Sequence, residues 1–104
     1  MATIAEFIKP LLEGKDLGIE QATALLDVIF EGGVSEAEIA AFLTAMRIKG
    51  ATPQELAGLA RSLRNHSIKV EVDVENLIDT CGTGGGAIKT FNVSTAAAFV
   101  AAGA

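Results

Sequence analysis

Apolar positions recur with a period near 3.6 from the N-terminus to Asn65, the spacing of helices that bury one face. Thr3 and Glu6 stand at capping-box spacing, and Ile4, Phe7, Ile8, Leu11 and Leu12 follow on one face; Pro10 should kink or split this helix. Gly18 with Gln21 begins a second helix, whose stripe of Ala22, Leu25, Leu26, Ile29 and Phe30 stops at Gly32 and Gly33. Ser35 and Glu38 form another capping box, with Val34 placed to staple against Ile39, and Ile39, Phe42, Leu43 and Met46 carry the stripe toward Gly50. Thr52, Pro53 and Glu55 supply a cap, a proline at the first helical position and a third box, followed by the apolar positions Leu56, Leu59, Ala60 and Leu63. Four helices with short connections predict a bundle-like domain over residues 1–67.

The period changes beyond it. Val70, Val72 and Val74 alternate with Glu71, Asp73 and Glu75, the pattern of an edge strand or an extended linker. Residues 77–81 are short and apolar enough for a buried strand, and they run directly into the glycines at 82, 84, 85 and 86. From Thr95 an alanine-rich run with Phe99 and Val100 predicts a packed helix started by Asn92 or Ser94. The fold expected is therefore mainly α: the four-helix domain, then at 68–104 the first strand, glycine loop and helix of an incomplete α/β domain. No internal repeat or low-complexity linker appears.

Composition narrows the partners. The 104 residues hold 8 Lys+Arg against 13 Asp+Glu, a net charge of −5, with no basic tract, which argues against nucleic acid. No run approaches the roughly 20 apolar residues of a membrane span, and no signal-peptide pattern begins the chain. One cysteine, Cys81, supports no internal disulfide, so a reducing cytoplasmic setting is expected. In so acidic a chain, a bound phosphate must be held by backbone dipoles or by metal.

The glycine run suits that task. Glycines clustered this densely carry a large entropy cost, and they stand where main chain approaches a ligand or turns through positive φ. Converging amides and the free N–H groups of the following helix make an anion cradle without basic side chains; a tight turn with no ligand is the plain alternative. A Walker A loop is excluded, because Thr83 and Ile88 stand where glycines would have to precede Lys89 and Thr90. Gly82, Gly84 and Ala87 match a dinucleotide pattern only weakly, since the helix starts too late.

The run Asp79-Thr80-Cys81-Gly82-Thr83-Gly84-Gly85-Gly86, followed by Thr90-Phe91-Asn92-Val93-Ser94-Thr95, resembles the phosphoribosyl-diphosphate loop of the anthranilate phosphoribosyltransferases. The four-helix pattern is similar to that family's N-terminal domain. The resemblance implies transfer of phosphoribosyl from phosphoribosyl diphosphate to the amine of anthranilate, in tryptophan biosynthesis. It implies that Gly82, Gly85, Gly86, Thr90, Asn92, Val93, Ser94 and Thr95 bind substrate, that Gly82 also approaches anthranilate, and that Ser94 is a Mg²⁺ ligand. It implies no catalytic side chain here, and a homodimer formed through the helical domain. The family often has aspartate where Gly86 stands, and its Lys-His-Gly-Asn-Arg segment and second acidic metal site are not in this sequence, so a fragment that is inactive alone is expected. A non-catalytic helical dimerisation module and a relative of the pyrimidine-nucleoside phosphorylases are the alternatives; the Asn92-Val93-Ser94-Thr95 run favours the transferase.

Other residues have plainer readings. Cys81 is expected to be small and buried, without chemistry. His66 reads as a solvated cation at a helix C-terminus. Asp79 is open between a catalytic carboxylate and a group that bonds loop amides, and Lys89 between a phosphate contact and solvent. Met46 and the phenylalanines read as core or interface.

Overall fold

The structure is a computed structural model that describes residues 3–82, 84 and 91–104. Five helices are present among them: α1 (Ile4–Leu12), α2 (Ile19–Glu31), α3 (Glu36–Lys49), α4 (Pro53–His66) and α5 (Val93–Gly103). The chain divides into two compact units, Met1–Lys69 and Val70–Ala104.

In the first unit α2 lies along α4, and α1 packs on α3 and on α2. Ile4, Ile8 and Leu11 of α1, Leu17, Ala22 and Leu25 around α2, and Phe42 and Ala45 of α3 form the core. Pro10 does not split α1, which continues to Leu12. It stands so close to the C-terminus that little helix remains to be disrupted. Thr3 occupies the N-cap of α1 without bonding a backbone amide; its hydroxyl meets the Glu6 carboxylate at 3.3 Å instead. Ser35 and Glu38 form the full reciprocal box, with Glu38 N donating to Ser35 Oγ at 3.3 Å and Ser35 N to Glu38 Oε2 at 2.9 Å. Gly32 and Gly50 follow α2 and α3 at φ +87° and +84°, so the two glycine stops read from sequence are turns that need a left-handed residue.

Helix α4 departs from expectation. Of its apolar positions Leu59 packs partly buried against the core, yet Leu56 and Leu63 are more than half exposed, and the buried positions are Glu55, Gly58 and Ser62. Small residues explain the reversal. Gly58 and Ala22 let α2 and α4 approach until the Thr23 hydroxyl bonds both Ile19 O at 2.8 Å and Gly58 O at 3.1 Å, and a leucine face would hold the helices apart.

In the second unit, no strand forms among the described residues. Residues 77–81, predicted as a buried strand, are irregular, with Leu77 and Ile78 exposed. A strand is held by ladder bonds to a neighbour, and no other described segment pairs with it. The alternating 70–75 run is likewise a bare, exposed segment, closed by a turn in which Asn76 takes φ +57°. Helix α5 buries none of its residues.

Candidate functional site

The second unit assembles its site from the turn after residue 78 and the start of α5. Asp79 Oδ1 accepts the Cys81 N–H at 2.8 Å, and the Cys81 thiol donates to Gly82 O at 3.4 Å, so the chain turns sharply before the glycine run. Cys81 is exposed, contrary to the buried position expected, and the buried strand expected at 77–81, of which it is the last residue, does not form. Gly84 lies at φ +79°, a conformation that glycine adopts freely and other residues rarely do.

Across from this turn, Asn92 caps α5: its Oδ1 accepts the Thr95 N–H at 3.3 Å. This resolves the choice between Asn92 and Ser94, and it leaves the Ser94 hydroxyl outside the cap. A Cβ built on Gly82 would stand 3.7 Å from Ser94 Oγ, so the first loop glycine and the proposed metal ligand are neighbours. Gly82, Asn92, Val93, Ser94 and Thr95 thus gather at the positive end of one helix, an arrangement suited to an anion. Gly85, Gly86, Thr90 and Lys89 fall outside the described residues. No group of three or more His, Cys, Asp or Glu side chains that could hold a metal occurs among the described residues. A hydroxyl ligand still fits Mg²⁺, which keeps much of its water and takes its remaining oxygens from substrate phosphates.

Two polar clusters in the first unit escaped the sequence reading. Glu55 is fully buried and accepts Leu17 N at 2.9 Å, Thr52 N at 2.8 Å and Lys49 Nζ at 2.9 Å, while Lys49 also reaches Asp16 at 2.7 Å. Burial pushes the Glu55 carboxyl upward, but the Thr52 and Leu17 amides and the Lys49 ammonium together hold it below its ordinary value. The hydrogen bond to Asp16 raises Lys49 against its own burial, and Glu55 adds to the rise. Sequence offered only a capping residue at 55; its second partner lies 38 residues away.

His66 does end α4 as expected, but it is not simply solvated. Its ring stacks on Phe30 with centroids 4.7 Å apart, and Nδ1 lies 3.0 Å from Ser62 O and 3.5 Å from Asp27 Oδ1. Ser62 Oγ donates to the same Asp27 oxygen, so the carboxylate ties α2 to α4 rather than orienting the imidazole toward a nucleophile. With the hydroxyl committed to Asp27 and fully buried, this trio is structural.

Comparison with known proteins agrees with this division of the chain. Residues 5–67 match the family described as "Glycosyl transferase family, helical bundle domain", and residues 74–104 match "Glycosyl transferase family, a/b domain". The chain is 52% identical over 101 residues to a protein of Pelotomaculum thermopropionicum named anthranilate phosphoribosyltransferase, covering 97% of this chain and 29% of that protein. Proteins of the same name from Desulfatibacillum aliphaticivorans and Methylococcus capsulatus are 44% and 50% identical, over 95% and 97% of this chain and 29% and 30% of their own lengths. The chain therefore spans about three tenths of the length of these relatives. Among the described residues no helix is long and apolar enough to cross a membrane. With a four-helix unit matched over most of its length and a capped helix facing a glycine turn beyond it, this chain belongs to the glycosyl transferase family defined by that helical bundle domain and its companion a/b domain.

Proposed function

We propose that this sequence supplies the helical domain and the phosphoribosyl-diphosphate loop of an anthranilate phosphoribosyltransferase acting in tryptophan biosynthesis in the cytoplasm. The observation that carries the reading is the approach of Gly82 to Ser94 at the Asn92-capped start of α5, which joins the two halves of the motif in one place. The names of the relatives support the choice of acceptor.

In this reading, backbone amides of residues 82–86 and the N-terminus of α5 hold the diphosphate, and the acidic chain needs no basic cluster to do so. The anthranilate nitrogen forms a bond to the anomeric carbon as the bond from that carbon to diphosphate breaks. Diphosphate leaves with the electron pair, and the amine gives up a proton. Charge accumulates on the departing oxygens, where oriented N–H dipoles are worth most. Ser94 would hold Mg²⁺, which neutralises phosphate charge when bound. No side chain of this chain is required as a base.

The reading also makes the helical unit a homodimer contact. Phe42, Met46 and Leu59 line a surface groove of about 340 Å³ with the exposed Leu43 and Leu56, a face that the unit itself leaves uncovered. The 104-residue chain alone is expected to be inactive.

The test uses a full-length protein that carries this sequence. It should bind phosphoribosyl diphosphate in a Mg²⁺-dependent way and turn over anthranilate. Gly85→Val should abolish that binding by filling the space between backbone and phosphate, whereas Ser94→Ala should mainly weaken the Mg²⁺ dependence and slow turnover. Calorimetry and steady-state kinetics across a Mg²⁺ titration read both. Unchanged substrate affinity in Gly85→Val would reduce the glycine run to a turn, and turnover by the 104-residue chain would contradict the need for further segments.

A further inference from the structure

We infer that Asp79 is a positioning residue for the phosphate loop: its carboxylate sets the turn that brings Gly82 to Ser94, and it takes no part in the chemistry. The inference rests on the transferase reading and deepens it at one residue. Asp79 Oδ1 accepts the Cys81 N–H at 2.8 Å, one residue before the glycine run begins. The Cys81 thiol bonds Gly82 O at 3.4 Å in the same turn, and Gly82 is the glycine beside Ser94 Oγ.

Two physical arguments assign the role. Gly82 has a glycine's backbone freedom, so a fixed point one residue before it lowers the cost of holding it beside Ser94. The hydrogen bond leaves the carboxylate's charge in place, so a neutral side chain that keeps the acceptor oxygen separates the turn from the charge. A general base would instead need an oxygen directed at the acceptor amine. The alternation left open by the sequence thus closes on the amide-bonding role.

The decisive comparison is Asp79→Ala against Asp79→Asn. The asparagine carbonyl accepts the same N–H without a charge, and alanine cannot. In the 104-residue chain, amide hydrogen exchange at Cys81 should stay slow in the wild type and in Asp79→Asn and accelerate in Asp79→Ala. In the full-length protein, Asp79→Ala should weaken phosphoribosyl-diphosphate affinity by about tenfold and Asp79→Asn by no more than about threefold, with kcat nearly constant in both.

Equal affinity in wild type and Asp79→Ala overturns the inference while leaving the transferase reading intact. Loss of kcat in Asp79→Asn as large as in Asp79→Ala overturns it too, because then the charge matters and not the bond. A wild-type protein that does not bind phosphoribosyl diphosphate defeats the transferase reading itself. Should Asp79→Ala lose its fold, Asp79→Ser decides the matter: its shorter hydroxyl makes the same turn less well, so affinity between those of wild type and an unbonded loop is expected. Full wild-type affinity with fast Cys81 exchange in that variant overturns the inference.

Discussion

At Gly58, a hydrogen stands where any other residue would place carbon against backbone. A Cβ there would fall well inside van der Waals contact with the Ile19 carbonyl oxygen and 2.7 Å from Ala22 Cβ. Neither neighbour is the end of a flexible side chain, so α4 must move away from α2 to admit a methyl group. That movement breaks the bond from the Thr23 hydroxyl to Gly58 O and loosens the one from Ser62 to Asp27. Alanine raises helix propensity by up to about 1 kcal/mol, but overpacking of this kind costs about 1–3 kcal/mol and takes two hydrogen bonds with it. Gly58→Ala is therefore expected to destabilise the helical unit by about 2 kcal/mol, the larger effect winning. Urea unfolding followed by far-ultraviolet circular dichroism measures it, and a variant as stable as the parent would mean that α2 and α4 are not held this close.

Between helices, the Lys49–Glu55 pair locks the α3–α4 turn to the segment before α2. Its pH dependence follows from the directions of the two shifts. The Glu55 carboxyl is held below its ordinary value of 4.5, so its contribution is complete above that value and is lost as pH falls through the lower folded one. Lys49 is held above 10.5, so its contribution is complete below that value and is lost as pH rises through the higher folded one. Glu55→Gln should be less stable at neutral pH, and its stability should fall less than the parent's between about pH 5 and about pH 3. Denaturation midpoints across that range check it, and parallel pH profiles would refute it. Glu38, also lowered by the Ser35 hydroxyl and N–H, leaves some acid sensitivity in the variant. The clasp marks how far the sequence could be read. Capping boxes, glycine stops and the Pro53 start are local, and α2, α3 and α4 fall where these signals place them. Which face of α4 turns inward depends on Ala22 and Thr23 of α2, and the partner of Glu55 at Leu17 depends on tertiary packing; neither has a local signature. In the candidate site, the resemblance pointed to the stretches on either side of residues 85–90, and Gly82 and Ser94 from them lie close together. The exposure of Cys81 was not legible, since burial of a strand is decided by neighbours that the segment does not name.

For the whole molecule, the reversal of α4 has a larger consequence. A helix that buries Glu55, Gly58 and Ser62 and exposes Leu56 and Leu63 has its polar and small face inside and two of its three leucines outside, with Leu59 packed at the core's edge. The result is stable only if the inner polar groups are satisfied, and no buried side-chain nitrogen or oxygen among the described residues lacks a partner. The outer leucines gain nothing from the first unit's own core. Leu56, together with Leu43, borders the groove lined by Phe42, Met46 and Leu59, in which Arg47 is the one charged residue. In the proposed homodimer this groove would be covered face to face by a second copy offering the same Leu43 and Leu56. Net charge of −5 opposes association at long range, so added salt should favour the dimer by screening it. Sedimentation equilibrium of the chain at tens to hundreds of micromolar is expected to show a monomer–dimer equilibrium that strengthens with salt. Leu56→Glu places a carboxylate at the border of the groove, where two copies would bring like charges together without a counter-ion, and it should shift the equilibrium to monomer while leaving the helical signal intact. Because Leu56 is exposed in the isolated unit, loss of dimer in that variant cannot be ascribed to a damaged core. A parent chain that stays monomeric throughout this range would remove the helical unit's claim to be the dimer contact.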